Sequence, residues 1–520
     1  HYSRAEDPDK TEEYLIKAGE EALRSSASSE ALTYYQQGLT LYRRNYGAAA
    51  EPEKLATFEK NIALALFNKG QMESATEYFD KVLERWGAGS PKGRAFVALK
   101  VIYDLLGVII NLYFPKKKNR KVPTKRENEI FDLRFKKAVS LVNLDPVNCF
   151  IEFIGTLNKV IKFDTTKVKN GIAIWMSGSG LFSWSGISFS HSKKMLNYNK
   201  DIYDKLGDKE VLYYDLYELL HQSYVGDWLS VRKYDSDLVE KNLKIGEFWH
   251  VSTYLVFHGH ISIGQGDFEK TKLLITKLDE ISKDYANENG TEYGYTLKIK
   301  LLMQFGKLQD ALRKVEEGIA FLTQSGRETG VIFYLGFKAV IQIKLKDFDG
   351  AERTLEQTRE IVAKSIRIFP NYMSSPLLAQ FLMDLHFLGQ AINESNRSDI
   401  SKFSKIAYQS GRRAIKNSKK YAFDLAELLR LMGLYYWLIG KQKKAIGSWE
   451  NGIKEAERLG ARVECARIYM EIGRRCREMK TKNLKINGIG PDEYLKRARI
   501  LFEEMGLQQD LDQLDKIIDS

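Results

Sequence analysis

Residues 305–314 read FGKLQDALRK, and this stretch decides the fold because its pattern recurs along the chain. Gly306 is followed five residues later by the small Ala311. Stepping by forty residues leads to further glycines at positions 186, 226 and 266, and to a lysine at position 346. Glycine adopts the left-handed backbone that ends many helices, so each of these positions predicts a turn between two helices.

The residues after each turn also follow a rule. Two positions on, the side chain is large and apolar, as in Trp228, Phe268, Leu308 and Phe348. Five positions on, it is small or of modest size, which lets the second helix pack closely against the first; these residues are Ala75, Val231, Thr271, Ala311, Ala351 and Ala445. A polar residue directly after the turn, Asp227 or Asp267, is expected to open the second helix.

This pattern of paired helices resembles the tetratricopeptide repeat, and it recurs as GQMESA at 70–75 and GKQKKA at 440–445. A period near forty residues is longer than the usual thirty-four and implies longer helices. We therefore predict an all-α superhelical solenoid of about a dozen tetratricopeptide-like hairpins, with one continuous core and a concave groove. The irregular spacing between Lys346 and Gly440 predicts one unusual hairpin, whose second helix starts near Ser398.

The same pattern suggests four segments. Residues 1–114 form N-terminal helical repeats, 115–126 a basic linker or loop, 127–480 the main solenoid, and 481–520 a loop with C-terminal capping helices. Pro491 stands where the first turn of a capping helix is expected.

Composition narrows the class of protein. Hydrophobic residues make up 44% of the 520 residues, which is enough for a large core, and the 9 prolines leave few obligatory helix breaks. The 3 cysteines form no CxxC pair, so we expect a reducing, cytoplasmic location. The net charge of +12 permits an acidic partner or an anionic ligand, but nucleic-acid binding is not expected from it.

Residues 95–114, AFVALKVIYDLLGVIINLYF, form an apolar segment that raises the question of whether the chain contacts a membrane. Lys100, Asp104 and Asn111 fall on one face of a helix, which favours a buried amphipathic helix. We therefore do not expect contact with a membrane surface, although a helix lying on that surface is the alternative; a spanning helix is not expected either.

A second resemblance concerns most of the chain. HYSRAEDPDK, YLIKAGEEAL and EALTYYQQGL near the start, SGLFSWSGISFSHSKKMLNYNKDIYDKLGD in the middle, and ARIYMEIGRRCREM near the end are similar to segments of large bacterial signalling proteins. In these, a class III adenylate or guanylate cyclase or a protein kinase domain precedes an AAA-type, STAND-like ATPase and a tetratricopeptide-like region. The resemblance implies catalytic and ATPase domains upstream of His1 and a regulatory role for these residues.

The chain itself carries no catalytic motif that we recognise, and we expect neither enzyme activity nor a cofactor. Gly306-Lys307 and Gly440-Lys441 lack the Ser or Thr of a phosphate-binding loop. His250, His258 and His260 do not have the spacing of a helical zinc site, so no metal is expected there.

Two basic stretches are the candidate contact surfaces. The first lies in residues 116–126 and includes Lys116, Lys117, Lys118, Arg120 and Lys121. The second, the basic stripe, follows one face of a predicted helix and consists of Lys402, Lys405, Arg412, Arg413, Lys416, Lys419 and Lys420. A solvated surface without a partner remains the alternative for both.

Two hypotheses follow for function. The first is a non-catalytic interaction and sensing region that regulates its own upstream domains, with the groove holding a peptide, a protein domain or a small effector. The second is a free-standing scaffold that binds a protein or an anionic surface through the basic stripe. Self-association through the exposed end repeats is possible in either case.

Overall fold

The computed structural model describes residues 8–90, 93–115, 120–198, 200–365, 368–478 and 488–519. Over these residues the chain is all-α, with 24 α-helices and an isolated β-bridge between Lys121 and Phe163. The fold is a superhelical solenoid of tetratricopeptide-like hairpins, as the sequence predicts.

Most helices are fourteen to twenty residues long and are joined by short turns. The N-terminal half contains α1 (Pro8–Arg24), α2 (Ser28–Tyr46), α3 (Pro52–Asn68), α4 (Met72–Arg85), α5 (Arg94–Tyr113), α6 (Lys125–Ser140), α7 (Pro146–Val160), α8 (Gly171–Trp184), α9 (Phe189–Tyr198), α10 (Asp208–Val225), α11 (Ser236–Lys244) and α12 (Phe248–Gln265). The C-terminal half contains α13 (Phe268–Asp284), α14 (Glu288–Gln304), α15 (Leu308–Gln324), α16 (Glu328–Lys344), α17 (Phe348–Lys364), α18 (Pro370–Asn393), α19 (Arg397–Ser418), α20 (Leu425–Leu438), α21 (Gln442–Leu459), α22 (Arg462–Glu478), α23 (Pro491–Met505) and α24 (Gln508–Asp519).

The forty-residue period is confirmed by the backbone. Residues 186, 226, 266, 306 and 346 all have positive φ, including Lys346 at +64°. Residues 246, 286 and 326, halfway between them, also have positive φ. The underlying unit is therefore one helix plus one turn in twenty residues, and two units make a hairpin.

Close packing after the turns is confirmed as well. Five residues at the small position have 0% exposure: Ala75, Thr271, Ala311, Ala351 and Ala445. A larger side chain would hold the paired helices apart, so the size of this residue sets their separation.

The hairpin after Gly226 differs from the prediction that Asp227 opens a helix. Residues Trp228–Ser230 form a short 3-10 turn, and α11 begins only at Ser236, where the Asp235 side chain accepts a 3.0 Å hydrogen bond from the Leu238 amide. The indole of Trp228 donates to the Ser223 carbonyl oxygen at 3.1 Å, and its ring packs on Phe423, 4.7 Å away between centroids. This buried tryptophan holds the chain in a turn where the repeat would continue as helix.

The irregular hairpin between positions 346 and 440 is present as α18 and α19. Ser398 is the second residue of α19, whose N-cap is Asn396. Pro491 begins α23, and α24 follows it at the C-terminal end. Helix α6 begins at Lys125, so the last two residues of the predicted basic loop are helical.

The solenoid winds so tightly that residues more than two hundred positions apart touch. The Asn287 amide donates to the Asn68 carbonyl oxygen at 2.7 Å, and the Arg458 guanidinium donates to the Gly226 carbonyl oxygen at 2.7 Å. One superhelical turn therefore takes roughly six forty-residue hairpins, and successive turns of the superhelix are in contact.

Helix α5 contradicts the prediction of a buried helix. It is long and apolar enough to cross a membrane by length and composition, yet only 17% of its apolar window is buried. The polar face turns inward instead: Asp104 is buried, forms an ion pair with Lys100 and accepts a 2.8 Å hydrogen bond from Asn158 of α7. These contacts pair the polar side chains on the inner side of α5, and the apolar side of the helix faces solvent.

Candidate functional site

The groove predicted from the repeat contains a partly open cavity at the superhelix axis. The inner helix of each hairpin lines it, from α6, α7 and α8 through α10, α12, α14 and α16 to α18. Its interior volume is about 140 Å³, counted as space open to the centre of a water-sized sphere. That is room for about ten water molecules or for a small organic molecule.

The wall of this axial cavity is mainly apolar and rich in aromatic side chains. It includes Trp184, Tyr217, Tyr224, Trp249, Tyr372 and Tyr421. Burial raises the pKa of Tyr224, Tyr372 and Tyr421 well above the ordinary value, so these hydroxyls stay protonated and can donate hydrogen bonds. The Tyr224 hydroxyl is buried without a hydrogen-bond partner among the described residues. An unpaired buried hydroxyl is costly, and it marks where a ligand's polar group would gain most.

A polar cluster stands at one side of the cavity around Asn143. The Tyr372 hydroxyl donates to the Asn143 side-chain oxygen at 2.5 Å, and the Asn143 amide donates to the Glu292 carboxylate at 3.5 Å. The Thr329 hydroxyl donates to the Asn143 backbone carbonyl at 2.5 Å. These bonds join three distant parts of the chain and fix the orientation of the polar wall.

Arg327 anchors this cluster. Its guanidinium is 1% exposed, pairs with the Glu292 carboxylate, and donates to the Gly70 carbonyl oxygen at 2.7 Å and to the Asn289 side chain at 3.3 Å. The arginine thus neutralises the one buried carboxylate of the cavity wall and ties it to the first superhelical turn. The Glu292 carboxylate therefore adds no uncompensated charge to the cavity wall.

A second, more polar chamber adjoins the first and shares His260 and Phe333 with it. Its volume on the same measure is about 100 Å³. Its charged lining consists of Lys300, Lys344, Arg467, Asp424, Glu427 and Glu464.

Burial dominates the electrostatics of this second chamber. It lowers the pKa of Lys300 and Lys344 and raises the pKa of Asp424 and Glu427, so all four groups are shifted toward their neutral forms. With equal numbers of acids and bases, the chamber suits a polar group of no net charge.

Five residues of the basic stripe lie on α19, the second helix of the irregular hairpin, and Lys419 and Lys420 follow its end, directly before Tyr421; none of the seven lines either chamber. All seven of its side chains are exposed, and none is within 4 Å of a carboxylate in the described part of the chain. Arg412 stacks over the Tyr408 ring at 5.7 Å. The stripe is accessible to a partner, as the prediction requires, and its role stays a prediction.

The basic loop is described only in part. Lys116, Lys117 and Lys118 lie outside the described residues. Arg120 donates to the Tyr198 hydroxyl at 3.2 Å, and the Lys121 carbonyl oxygen accepts a 2.9 Å bond from the Asp164 amide. These contacts fix the end of the loop against α9 and the segment after α7.

The three histidines of α12 are buried in separate surroundings. His250 lies 3.0 Å from the Glu247 carboxylate, His258 packs against Tyr234 and Tyr254, and His260 lies 3.3 Å from the Lys300 ammonium group. Burial lowers the pKa of all three, so they are neutral at pH 7. Among the described residues, no group of three or more His, Cys, Asp or Glu side chains has the geometry of a metal site.

Sequence reasoning did not find the cavity residues. Tyr217, Tyr224 and Trp249 look like ordinary core positions of apolar helices. The available signal was Glu292 and Arg327, charged residues on helical faces that the repeat turns inward. Which side chains meet around the axis depends on how far each hairpin is rotated relative to the last.

No protein-family model matches the sequence, and no curated protein matches it. Among solved structures, the chain is similar to the APC/C hetero-tetramer Cut9–Hcn1, at 13% identity and a TM-score of 0.46, over 99% of this chain and 88% of the other. It is also similar to PH0952 from Pyrococcus horikoshii, a signal transduction ATPase with numerous domains (STAND) that has a tetratricopeptide repeat sensor. That match has 12% identity and a TM-score of 0.37, and it covers 93% of this chain and 74% of the other.

Proposed function

We propose that this chain is a non-catalytic sensing and interaction solenoid whose axial cavity binds a small, mostly apolar ligand. The observation that carries the proposal is the apolar, aromatic-rich cavity whose wall includes Tyr224, a residue with no hydrogen-bond partner for its hydroxyl among the described residues. Pockets of this kind, apolar with a few convergent polar groups, are the usual form of small-molecule sites.

The position of the cavity supports a sensing role. Its wall is built from residues between Ala138 and Tyr421, so a bound ligand contacts helices spread over about half of the chain. A ligand that contacts many repeats at once favours one degree of superhelical winding over others. Binding would therefore change the distances between hairpins on the outer surface, where partner domains dock.

The finer proposal concerns the partner. The resemblance to large signalling proteins supports regulation of an adjoining ATPase and, through it, of a nucleotide cyclase or a protein kinase. The test is to compare cyclic-nucleotide formation, kinase activity and ATP hydrolysis of the natural protein with and without residues 1–520. Activities and oligomeric state that do not change on truncation would contradict this part of the proposal.

Ligand binding is tested with Tyr224→Phe, which keeps the ring and removes only the hydroxyl. The matched control is Tyr35→Phe, because the Tyr35 hydroxyl is also buried without a hydrogen-bond partner among the described residues but lies in α2, away from the cavity. Native mass spectrometry of the purified chain identifies co-purifying molecules, and a thermal-shift screen of compounds below about 300 Da supplies others.

We expect Tyr224→Phe to weaken binding of a hydrogen-bonding ligand by up to about tenfold, since one hydrogen bond contributes about 1 kcal/mol. Tyr35→Phe should leave the affinity unchanged. The cavity proposal fails if no molecule co-purifies and no compound gives a thermal shift that Tyr224→Phe reduces.

A second candidate function rests on the exposure of the basic stripe. A single-sign surface of seven side chains creates a field that attracts an acidic protein surface. Arg412→Glu combined with Lys416→Glu should abolish such binding, whereas Lys441→Glu combined with Lys443→Glu, at exposed positions of another hairpin, should not. Capture of an acidic partner that survives the first double variant would reject the stripe as its binding site.

A further inference from the structure

Helix α5 has an outward apolar face that nothing in the described chain covers. Its exposed side chains are Phe96, Leu99, Ile102, Tyr103, Leu106, Ile110 and Tyr113, followed by Phe114. These positions fall within a stripe about 120° wide, and Leu99 and Phe114 are 69% and 76% exposed. At 1.5 Å per residue, the 20-residue helix offers an apolar edge about 30 Å long.

The inner face of α5 holds the helix to the solenoid. Val108 and Leu112 are buried, and Asp104 is hydrogen-bonded to Asn158 of α7. A side chain at Gly107 would collide with Asn158, so the two helices approach closely there. The helix is therefore fixed in place with its apolar face outward.

Basic side chains flank this face at its C-terminal end. The Lys194 ammonium group lies 4.1 Å from the centre of the Tyr113 ring, and its neighbour Lys193 is exposed on the same helix, α9. Arg120 is held beside the same α9 helix through Tyr198. Over residues 92–126 the sequence has ten Lys or Arg and a single acid, the buried Asp104. With Lys193, Lys194 and Arg120 beside it, the C-terminal end of the apolar face is basic.

From this combination we propose that α5 docks the solenoid onto an anionic lipid bilayer, lying in the plane of the membrane surface. The apolar face would enter the boundary between headgroups and acyl chains, and the flanking lysines would meet lipid phosphates and carboxylates. Tyr103 and Tyr113 suit this depth, because tyrosine rings favour the membrane–water interface.

Charge argues against a second copy of the chain as the occupant. Sequence positions at both ends of α5 are basic: Lys92 precedes it, Arg94 is its first residue, and Arg120 and Lys121 follow it. Pairing two α5 helices in either direction would bring basic ends together without a facing acid. An anionic membrane supplies the missing negative charge along the whole face.

The test is flotation of the purified full chain with vesicles of phosphatidylcholine alone and with 30% phosphatidylserine. We expect binding to the anionic vesicles that falls as salt rises from 50 to 500 mM. Leu99→Gln combined with Leu106→Gln should reduce binding by about a hundredfold, at about tenfold for each exposed leucine. Leu273→Gln is the matched control, since Leu273 is 71% exposed on α13, and it should not change binding.

A charge variant tests the electrostatic part. Lys193→Glu combined with Lys194→Glu should reduce binding to the anionic vesicles by at least tenfold, whereas Lys405→Glu on the basic stripe should not. All the substituted residues are exposed, so we expect each variant to stay folded. Circular dichroism checks this.

Three results would overturn the proposal. The first is no flotation with anionic vesicles, or flotation that the leucine double variant leaves unchanged. The second is a dimer in sedimentation velocity that dissociates on the leucine substitutions, which would make a second copy the occupant. The third is resistance of the vesicle-bound chain to alkaline carbonate extraction, which would indicate a spanning helix.

Discussion

The guanidinium of Arg327 donates a 2.7 Å hydrogen bond to the carbonyl oxygen of Gly70, 257 residues earlier in the chain. This contact joins two successive turns of the superhelix at the wall of the axial cavity. Through its ion pair with Glu292, a residue of the cavity wall, the same guanidinium ties that wall to the earlier superhelical turn.

Removing this arginine should destabilise the whole array. Arg327→Met leaves the Glu292 carboxylate buried without its partner, and we expect a loss of about 3–5 kcal/mol in the free energy of unfolding. The double variant Arg327→Met, Glu292→Gln should lose less than the single variant, because the only carboxylate that still loses its partner, Glu288, is partly exposed. Urea unfolding followed by circular dichroism measures both, and equal losses would contradict this account.

The turn glycines offer a direct measure of contact between superhelical turns. Gly226 has φ of +81°, and a Cβ there would lie 2.7 Å from Leu459 and 3.0 Å from the Ala422 Cβ. Gly440 has φ of +73° and open space around it. Gly440→Ala should therefore cost only the backbone strain, about 1–2 kcal/mol, and Gly226→Ala should cost about 1–3 kcal/mol more. Thermal unfolding of the two variants side by side gives the difference, and similar losses would mean that the turns are not in firm contact.

The small residue after each turn should be sensitive to size. Ala311→Leu inserts three carbons between α14 and α15, where Ala311 is fully buried, and should destabilise by about 1–3 kcal/mol. Ala320 is exposed on the same helix α15, so Ala320→Leu should change stability by less than about 0.5 kcal/mol. Denaturant midpoints of the two variants test this, and a stable Ala311→Leu protein would show that the helices can separate without loss.

Acid should weaken the fold through His258. Burial lowers the pKa of this histidine to about 3 from its ordinary value of 6.5. The stability contributed by its neutral form is fully present above pH 6.5 and is lost as the pH falls toward 3, because the unfolded chain takes up the proton first. Between pH 7 and 5 this histidine should account for a loss of about 2 kcal/mol.

His258→Phe keeps an aromatic ring and removes the proton, so its stability should depend less on pH over this range by that amount. His386→Phe is the comparison: this ring is half-buried and stacks on Phe348, and we expect a smaller change in slope. Chemical unfolding at pH 7, 6 and 5 measures the slopes, and an unaltered slope in His258→Phe would contradict the prediction.

The sequence by itself determined the repeat. Position 306 and its equivalents need positive φ, and Ala311 and its equivalents need a small side chain. Both requirements are local, so the amino-acid sequence alone reveals them. Even Lys346 was identified as a turn from its place in the register, and its backbone has positive φ. The hairpin around Ser398 was found in the same way, from an N-cap signal.

Tertiary structure alone decided how the hairpins wind and what faces inward. The rotation between neighbouring hairpins is small, and only its sum over six of them brings Arg327 to Gly70 and forms the aromatic-rich cavity. Helix α5 shows that the sequence also leaves open which side of a single helix is buried. From the sequence, its polar stripe was expected to face solvent. Asp104 is instead satisfied by Lys100 and Asn158, so the polar side is buried and the apolar side is exposed. Periodicity shows that a helix has two faces, but the partners available across the fold decide which of them faces solvent.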